Sequence, residues 1–199
     1  MEKQDYLRGT VEKYLKELSE RRIVPGGGSA SALTAALGAG LNLMVINYSV
    51  KNEDESPVLS AARKEQQDSL ERLSAFIDED CAAFRALMEA VRSKSGAQKE
   101  FMAAAEIPMK ICHECRASMN IVARFQEEAS RTLLTDVGCA VNMLKAAFYS
   151  AELNVKVNLK HIKDGPFVEN AGNTLKTLKE EIDRTSEDIL KKLEKTWQM

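Results

Sequence analysis

The sequence predicts an all-α protein, a single domain over residues 1–199 folded as an antiparallel bundle of about six helices. Three observations carry this. Between Pro25, Pro57, Pro108 and Pro166, apolar residues recur almost everywhere at three- and four-residue steps. The only strand-like alternation, Val155 and Val157 between polar neighbours, is too short and isolated to build a sheet. Residues 23–50 carry no charge in a chain that is 29% charged, the pattern of a helix enclosed by other helices.

Each element follows in order. Tyr6, Leu7, Val11, Tyr14, Leu15 and Leu18 form the apolar stripe of a first helix. A connection then leads to Gly26-Gly27-Gly28-Ser29, which opens the uncharged segment. That segment is long enough to cross a bilayer. Its Ser31, Thr34, Asn42, Asn47 and Ser49, its many small residues and its lack of a one-sided basic flank favour a helix buried in a soluble protein. Part of its surface is expected to be covered by a second subunit, since a domain of this size has difficulty enclosing one helix completely. Ser56-Pro57 then pairs an N-cap with a proline at the first helical position, and starts a helix reaching about Arg92. Ser93-Lys94-Ser95-Gly96 breaks it. The next helix runs from about Ala97 to Ser130, with a kink expected at Pro108. Thr135-Asp136 reads as the N-cap of a fifth helix, and Asp164-Gly165-Pro166 precedes a charged amphipathic last one.

Composition excludes several functions. With 28 Lys+Arg against 30 Asp+Glu, the net charge of −2 offers no attraction to nucleic acid or an anionic membrane. A hydrophobic fraction of 44% excludes intrinsic disorder. Four cysteines do not make a disulfide scaffold, and Met1 runs into Glu2, Lys3 and Asp5 without an apolar leader. A cytoplasmic protein with reduced thiols is expected.

Three features stand out as candidate sites. Asp80 falls inside the apolar stripe of Leu73, Ile77, Phe84, Leu87 and Val91, whereas Asp78 and Glu79 point toward solvent. A carboxyl on a core face needs a partner or a proton. Desolvation moves its pKa toward neutrality, as a general acid/base requires, and a structural carboxylate bonded to a buried donor fits the pattern equally. Gly26, Gly27, Gly28 and Ser29 sit at a helix mouth, where free N–H groups can hold anionic or polar atoms; taken alone, a capped flexible turn explains them as well. Asp136, Asn154 and Asn158 share one side of the fifth helix if it is continuous, able to meet a ligand or to bridge backbone groups. Cys112-His113-Glu114-Cys115 suggests a metal, but no second Cys/His pair lies at a suitable spacing, so no metal is expected.

Four segments in order are similar to one family: Pro25-Gly26-Gly27-Gly28-Ser29, Ile77-Asp78-Glu79-Asp80-Cys81-Ala82-Ala83-Phe84, Thr135-Asp136-Val137-Gly138, and Asn154-Val155-Lys156-Val157-Asn158-Leu159-Lys160. They resemble the C-terminal domain of formiminotransferase-cyclodeaminase and its stand-alone bacterial relatives, including methenyltetrahydrofolate cyclohydrolases. The resemblance implies an all-helical homodimer that binds a tetrahydrofolate derivative as substrate near the subunit interface. It implies Asp80 as the catalytic acid/base, with Gly26, Gly27, Gly28, Ser29, Asp136, Asn154 and Asn158 binding substrate. Neither cyclohydrolase nor cyclodeaminase chemistry changes oxidation state, so no metal or redox cofactor is expected. The stretch 51–55 departs from the family pattern and motivates a rival expectation, a non-catalytic folate-binding or assembly protein.

Overall fold

Thr10 sets the first helix. Its hydroxyl accepts the Lys13 N–H at 3.1 Å, and α1 spans Val11–Ser19. Tyr6 and Leu7, expected inside that helix, lie in the turn before it. The computed structural model describes residues 5–50, 56–94 and 96–197. The atypical stretch 51–55 lies outside the described residues.

The uncharged segment forms α2, Gly27–Ser49, buried along most of its length. It is long and apolar enough to span a membrane, yet more than half of it is enclosed by the bundle. Its hydroxyls explain how polar residues sit in so apolar a helix. Ser31, Thr34 and Ser49 each donate to the carbonyl four residues back, at 2.7–2.8 Å. Asn42 is the exception, fully buried with neither amide atom hydrogen-bonded, and nothing in the structure explains it.

Ser56 caps α3, Pro57–Ser93, accepting the Leu59 N–H at 3.1 Å. α3 ends at Lys94, whose φ of 54° leaves the right-handed region. α4, Gln98–Phe125, continues through a buried Pro108 and stops earlier than the expected Ser130. A 3-10 helix, Arg131–Leu133, feeds directly into α5, Leu134–Leu159. Thr135 therefore lies inside α5 rather than capping it. The valines 155 and 157, strand-like in sequence, belong to the same helix. α6, Gly165–Trp197, completes the bundle.

Side-chain pairs tie α3 to α4, α4 to α5 and α5 to α6. Gln66 donates to Ser118 at 3.2 Å, and Arg72 forks onto Glu114 at 2.7 and 3.0 Å, so α3 and α4 run antiparallel. The Cys112 thiol reaches the Phe148 carbonyl at 3.7 Å between α4 and α5. The Tyr149 hydroxyl donates to Asp183, which also meets Lys145 and Lys179, and so clasps α5 to α6. Inside lie Ile46, Leu73, Leu87, Ile111, Met119, Phe125, Leu144, Phe148, Ile182 and Ile189, all buried. Where α2 meets α5, Gly38 lets the helices approach: a Cβ there would sit 3.0 Å from Leu144 Cγ and 3.1 Å from the Ala140 carbonyl.

This topology brings the start of α2, the second half of α3, the first turns of α4 and the last turns of α5 to one end of the bundle.

Candidate active site

The site is built where α2 begins. A cis Val24–Pro25 peptide leads into the glycines, and Gly26, the N-cap residue, has no side chain with which to cap the helix. The N–H groups of Gly27, Gly28 and Ser29 are first-turn donors without helical acceptors. The helix dipole adds its positive end here.

Asp80 projects from α3 onto this turn. A Cβ on Gly28 would lie 2.5 Å from the Asp80 Cγ, on top of the carboxyl, so only glycine admits the carboxylate this close to the backbone. Burial pushes the Asp80 pKa up from 3.8 to about 6, and the Ser29 backbone N–H beside it pulls the other way without cancelling the effect. A group with that pKa gives and takes a proton at neutral pH. The helical-wheel reading of Asp80 as a carboxyl turned inward agrees with this placement.

Asp78, two residues away, has another occupation. It does not simply face solvent as expected: its oxygens accept the backbone N–H groups of Tyr6 (2.8 Å) and Leu7 (3.3 Å), tying the N-terminal segment to α3. From that segment the Tyr6 hydroxyl reaches Glu17 at 3.0 Å and the Val24 carbonyl at 3.3 Å. Tyr14 packs edge-on against Tyr6 and its hydroxyl lies 3.1 Å from Ser29 Oγ. These tyrosines, which periodicity assigns only to a core stripe, brace the glycine turn from behind.

On the opposite wall stand Asn154 and Asn158 of α5. The Asn154 Nδ2 donates to the Ser150 carbonyl at 2.8 Å, and the Asn158 Nδ2 to the carbonyls of Ala104 (3.0 Å) and Asn154 (2.9 Å). With both NH₂ groups held by carbonyls, no described hydrogen bond reaches either Oδ1, and these acceptors remain for a ligand. Gly27 lies against Asn154, whose Nδ2 would be 3.5 Å from a Cβ there.

Between these walls is a cavity of 120 Å³, lined by Gly26, Gly27, Gly28, Asp80, Asn154 and Asn158, with Ile23, Phe84 and Val157 among its apolar neighbours. Ser29 contributes its backbone amide while its side chain is buried. Asp136 is not brought here. It stands in the first turn of α5, eighteen residues before Asn154 and so about 27 Å away along the axis. Sequence reasoning also assigned Phe84 to the core, whereas it stands at the cavity. A larger hollow of 270 Å³ between α4, α5 and α6, lined by Met109, His113 and Phe167, holds none of the expected site residues.

No group of three or more His, Cys, Asp or Glu among the described residues is arranged to hold a metal ion. Cys112 and Cys115 are fully buried, and Glu114 is engaged by Arg72.

The profile of the formiminotransferase-cyclodeaminase family matches residues 10–177. A methenyltetrahydrofolate cyclohydrolase of Methylorubrum extorquens is 29% identical, over 90% of this chain and 93% of its own length. A formimidoyltransferase-cyclodeaminase of Dictyostelium discoideum is 32% identical over 93% of this chain. One from Gallus gallus is 26% identical over 94%. The chain spans only 36% and 38% of the lengths of those two. In three dimensions the chain superposes on the crystal structure of formiminotetrahydrofolate cyclodeaminase from Thermotoga maritima with a TM-score of 0.89, at 25% identity, covering 94% of this chain and 96% of the other.

Proposed function

Since this chain belongs to the formiminotransferase-cyclodeaminase family, we propose that its Asp80 cavity is the active site of a folate one-carbon enzyme, a methenyltetrahydrofolate cyclohydrolase or formiminotetrahydrofolate cyclodeaminase. The observation that carries the reading is the Asp80 carboxyl, held against a glycine turn with its pKa raised to about 6.

Both reactions pass through a tetrahedral carbon between two nitrogens. In the cyclohydrolase direction, water adds to the cationic methenyl carbon of 5,10-methenyltetrahydrofolate. Asp80 takes one proton of the attacking water and returns it to N5 as the carbon–N5 bond breaks; the remaining hydroxyl proton is released to water as the formyl C=O forms, leaving 10-formyltetrahydrofolate. In the cyclodeaminase direction, N10 adds to the carbon of the protonated formimino group (–CH=NH₂⁺) on N5. Asp80 receives the N10 proton and delivers it to the departing nitrogen, which leaves as ammonia. One carboxyl serves as base and then acid in each case, and a pKa near the working pH lets it do both. Asn154 and Asn158 accept hydrogen bonds from the attacking water or from the formimino N–H, and the free amides of Gly27 and Gly28 stabilise the oxygen or nitrogen that gains electron density. No step requires a change of oxidation state.

The protein acts as a homodimer in this reading, with α2 contributing to the contact. Leu37 and Tyr48 stay exposed on a helix that lacks any charged residue, and a second copy covers them. Four free cysteines accord with a reducing cytoplasm.

The test is a spectrophotometric assay of the purified protein with methenyl- and formiminotetrahydrofolate separately. Wild type turns over one of the two, and Asp80→Asn, folded normally by circular dichroism, loses about 10²–10⁴-fold in kcat. Absence of turnover with both substrates overturns the enzyme reading.

A further inference from the structure

The cavity over Asp80 is small. Its 120 Å³ falls well short of the roughly 300 Å³ of a site that encloses an entire small ligand. A fused pterin ring with its substituents does not fit inside it. The floor is polar: the Asp80 carboxyl, the glycine amides and two asparagine oxygens. The rim is apolar and open to water. Ile23 is 43% exposed, Phe84 37% and Val157 52%, and all three line the cavity mouth. They come from three separate parts of the fold: the connection before α2, α3 and α5. Phe84 follows Asp80 by one helical turn, which sets its ring on the same face as the carboxyl. Leu153, one turn before Val157, extends the apolar strip along α5.

Resting on the folate reading of this site, we propose that only the one-carbon unit and its two flanking nitrogens enter the polar floor. The planar ring system lies outside, flat on the rim of Ile23, Phe84 and Val157, and Phe84 sets the affinity for it. Affinity and chemistry are then divided between two shells of residues. The ring covers apolar side chains otherwise left in water, and an aromatic face against a flat heterocycle adds a stacking contact. The floor, too small for the ring, holds the reacting carbon within reach of Asp80 and admits little beyond it except water.

This division predicts a separation in steady-state kinetics with 5,10-methenyltetrahydrofolate. Phe84→Ala raises KM about tenfold while kcat stays within about twofold, and Phe84→Tyr restores KM. Val157→Ser, a substitution at an exposed position with little bearing on folding, moves KM in the same direction. An unchanged KM in both Phe84→Ala and Val157→Ser overturns the proposal, as does a fall in kcat at constant KM. If Phe84→Ala shifts the oligomeric state by light scattering and leaves KM intact, a second copy covers the rim and the proposal fails. Titration calorimetry with tetrahydrofolate separates the proposal from the reading beneath it. Binding weakened by Phe84→Ala in a protein that turns over neither substrate upholds the rim and removes the enzyme assignment. No binding to wild type removes both.

Discussion

Asp78 and Asp80 show how little separates a carboxylate that ties the chain together from one held in a cavity. The first accepts two backbone N–H groups and ties down the N-terminal segment. The second sits against a glycine turn with its pKa raised to about 6 by burial. Since the folded pKa lies above the unfolded one, ionising Asp80 works against the fold. Its protonated form is fully compatible with folding below about pH 4, and stability is lost as pH rises through 6. The penalty at neutral pH is on the order of 2 kcal/mol, allowing for the part of the carboxyl still open to water. Asp80→Asn is therefore expected to melt above wild type at pH 8, with the gain fading toward pH 4. Thermal denaturation across that range checks it, and a lower melting temperature at pH 8 would point to an ionic partner for the carboxylate. The inward turn of Asp80 was legible because a charge inside an apolar stripe breaks a pattern. The role of Asp78 was not legible, because its partners come from a segment more than seventy residues away. Phe84 was misread for a related reason: it continues the apolar stripe, but a cavity interrupts the core on that side.

At the level of the helices, periodicity located all six α-helices but not the 3-10 turn at Arg131–Leu133, and it failed at termini. Thr10 captures the first helix four residues later than the apolar stripe begins. Thr135 has the chemistry of a cap, but the chain already enters α5 through a 3-10 turn, leaving no end for it to cap. Small residues in α2 correctly signalled close neighbours. Gly38→Ala tests this: the added methyl meets the Ala140 carbonyl and Leu144, and the backbone oxygen cannot yield as a flexible side chain would. A loss of about 1–3 kcal/mol is expected in denaturant unfolding, with the cavity fifteen ångströms or so along α2 left able to bind folate.

For the whole molecule, antiparallel packing does what no local pattern could. It brings residues from all four quarters of the chain around one 120 Å³ space. The same packing carries Asp136 to the far end of the bundle, although its motif sits in register with the others in sequence. What single-chain packing leaves undone is the exposed part of α2. Leu37→Glu is expected to convert a dimer into a monomer in light scattering, and a wild-type protein that is already monomeric would remove the dimer from the reading. The glycine turn has a final consequence, which concerns how this end of the bundle opens. α2 begins with glycines and has no capping side chain of its own, and the group set against its first turn belongs to a different helix. Its start thus lacks a side-chain cap to nucleate from, and its first amides are expected to gain protection from hydrogen exchange together with those of α3. Exchange of the α2 first-turn amides ahead of those of α3 would show that this end of the bundle opens on its own.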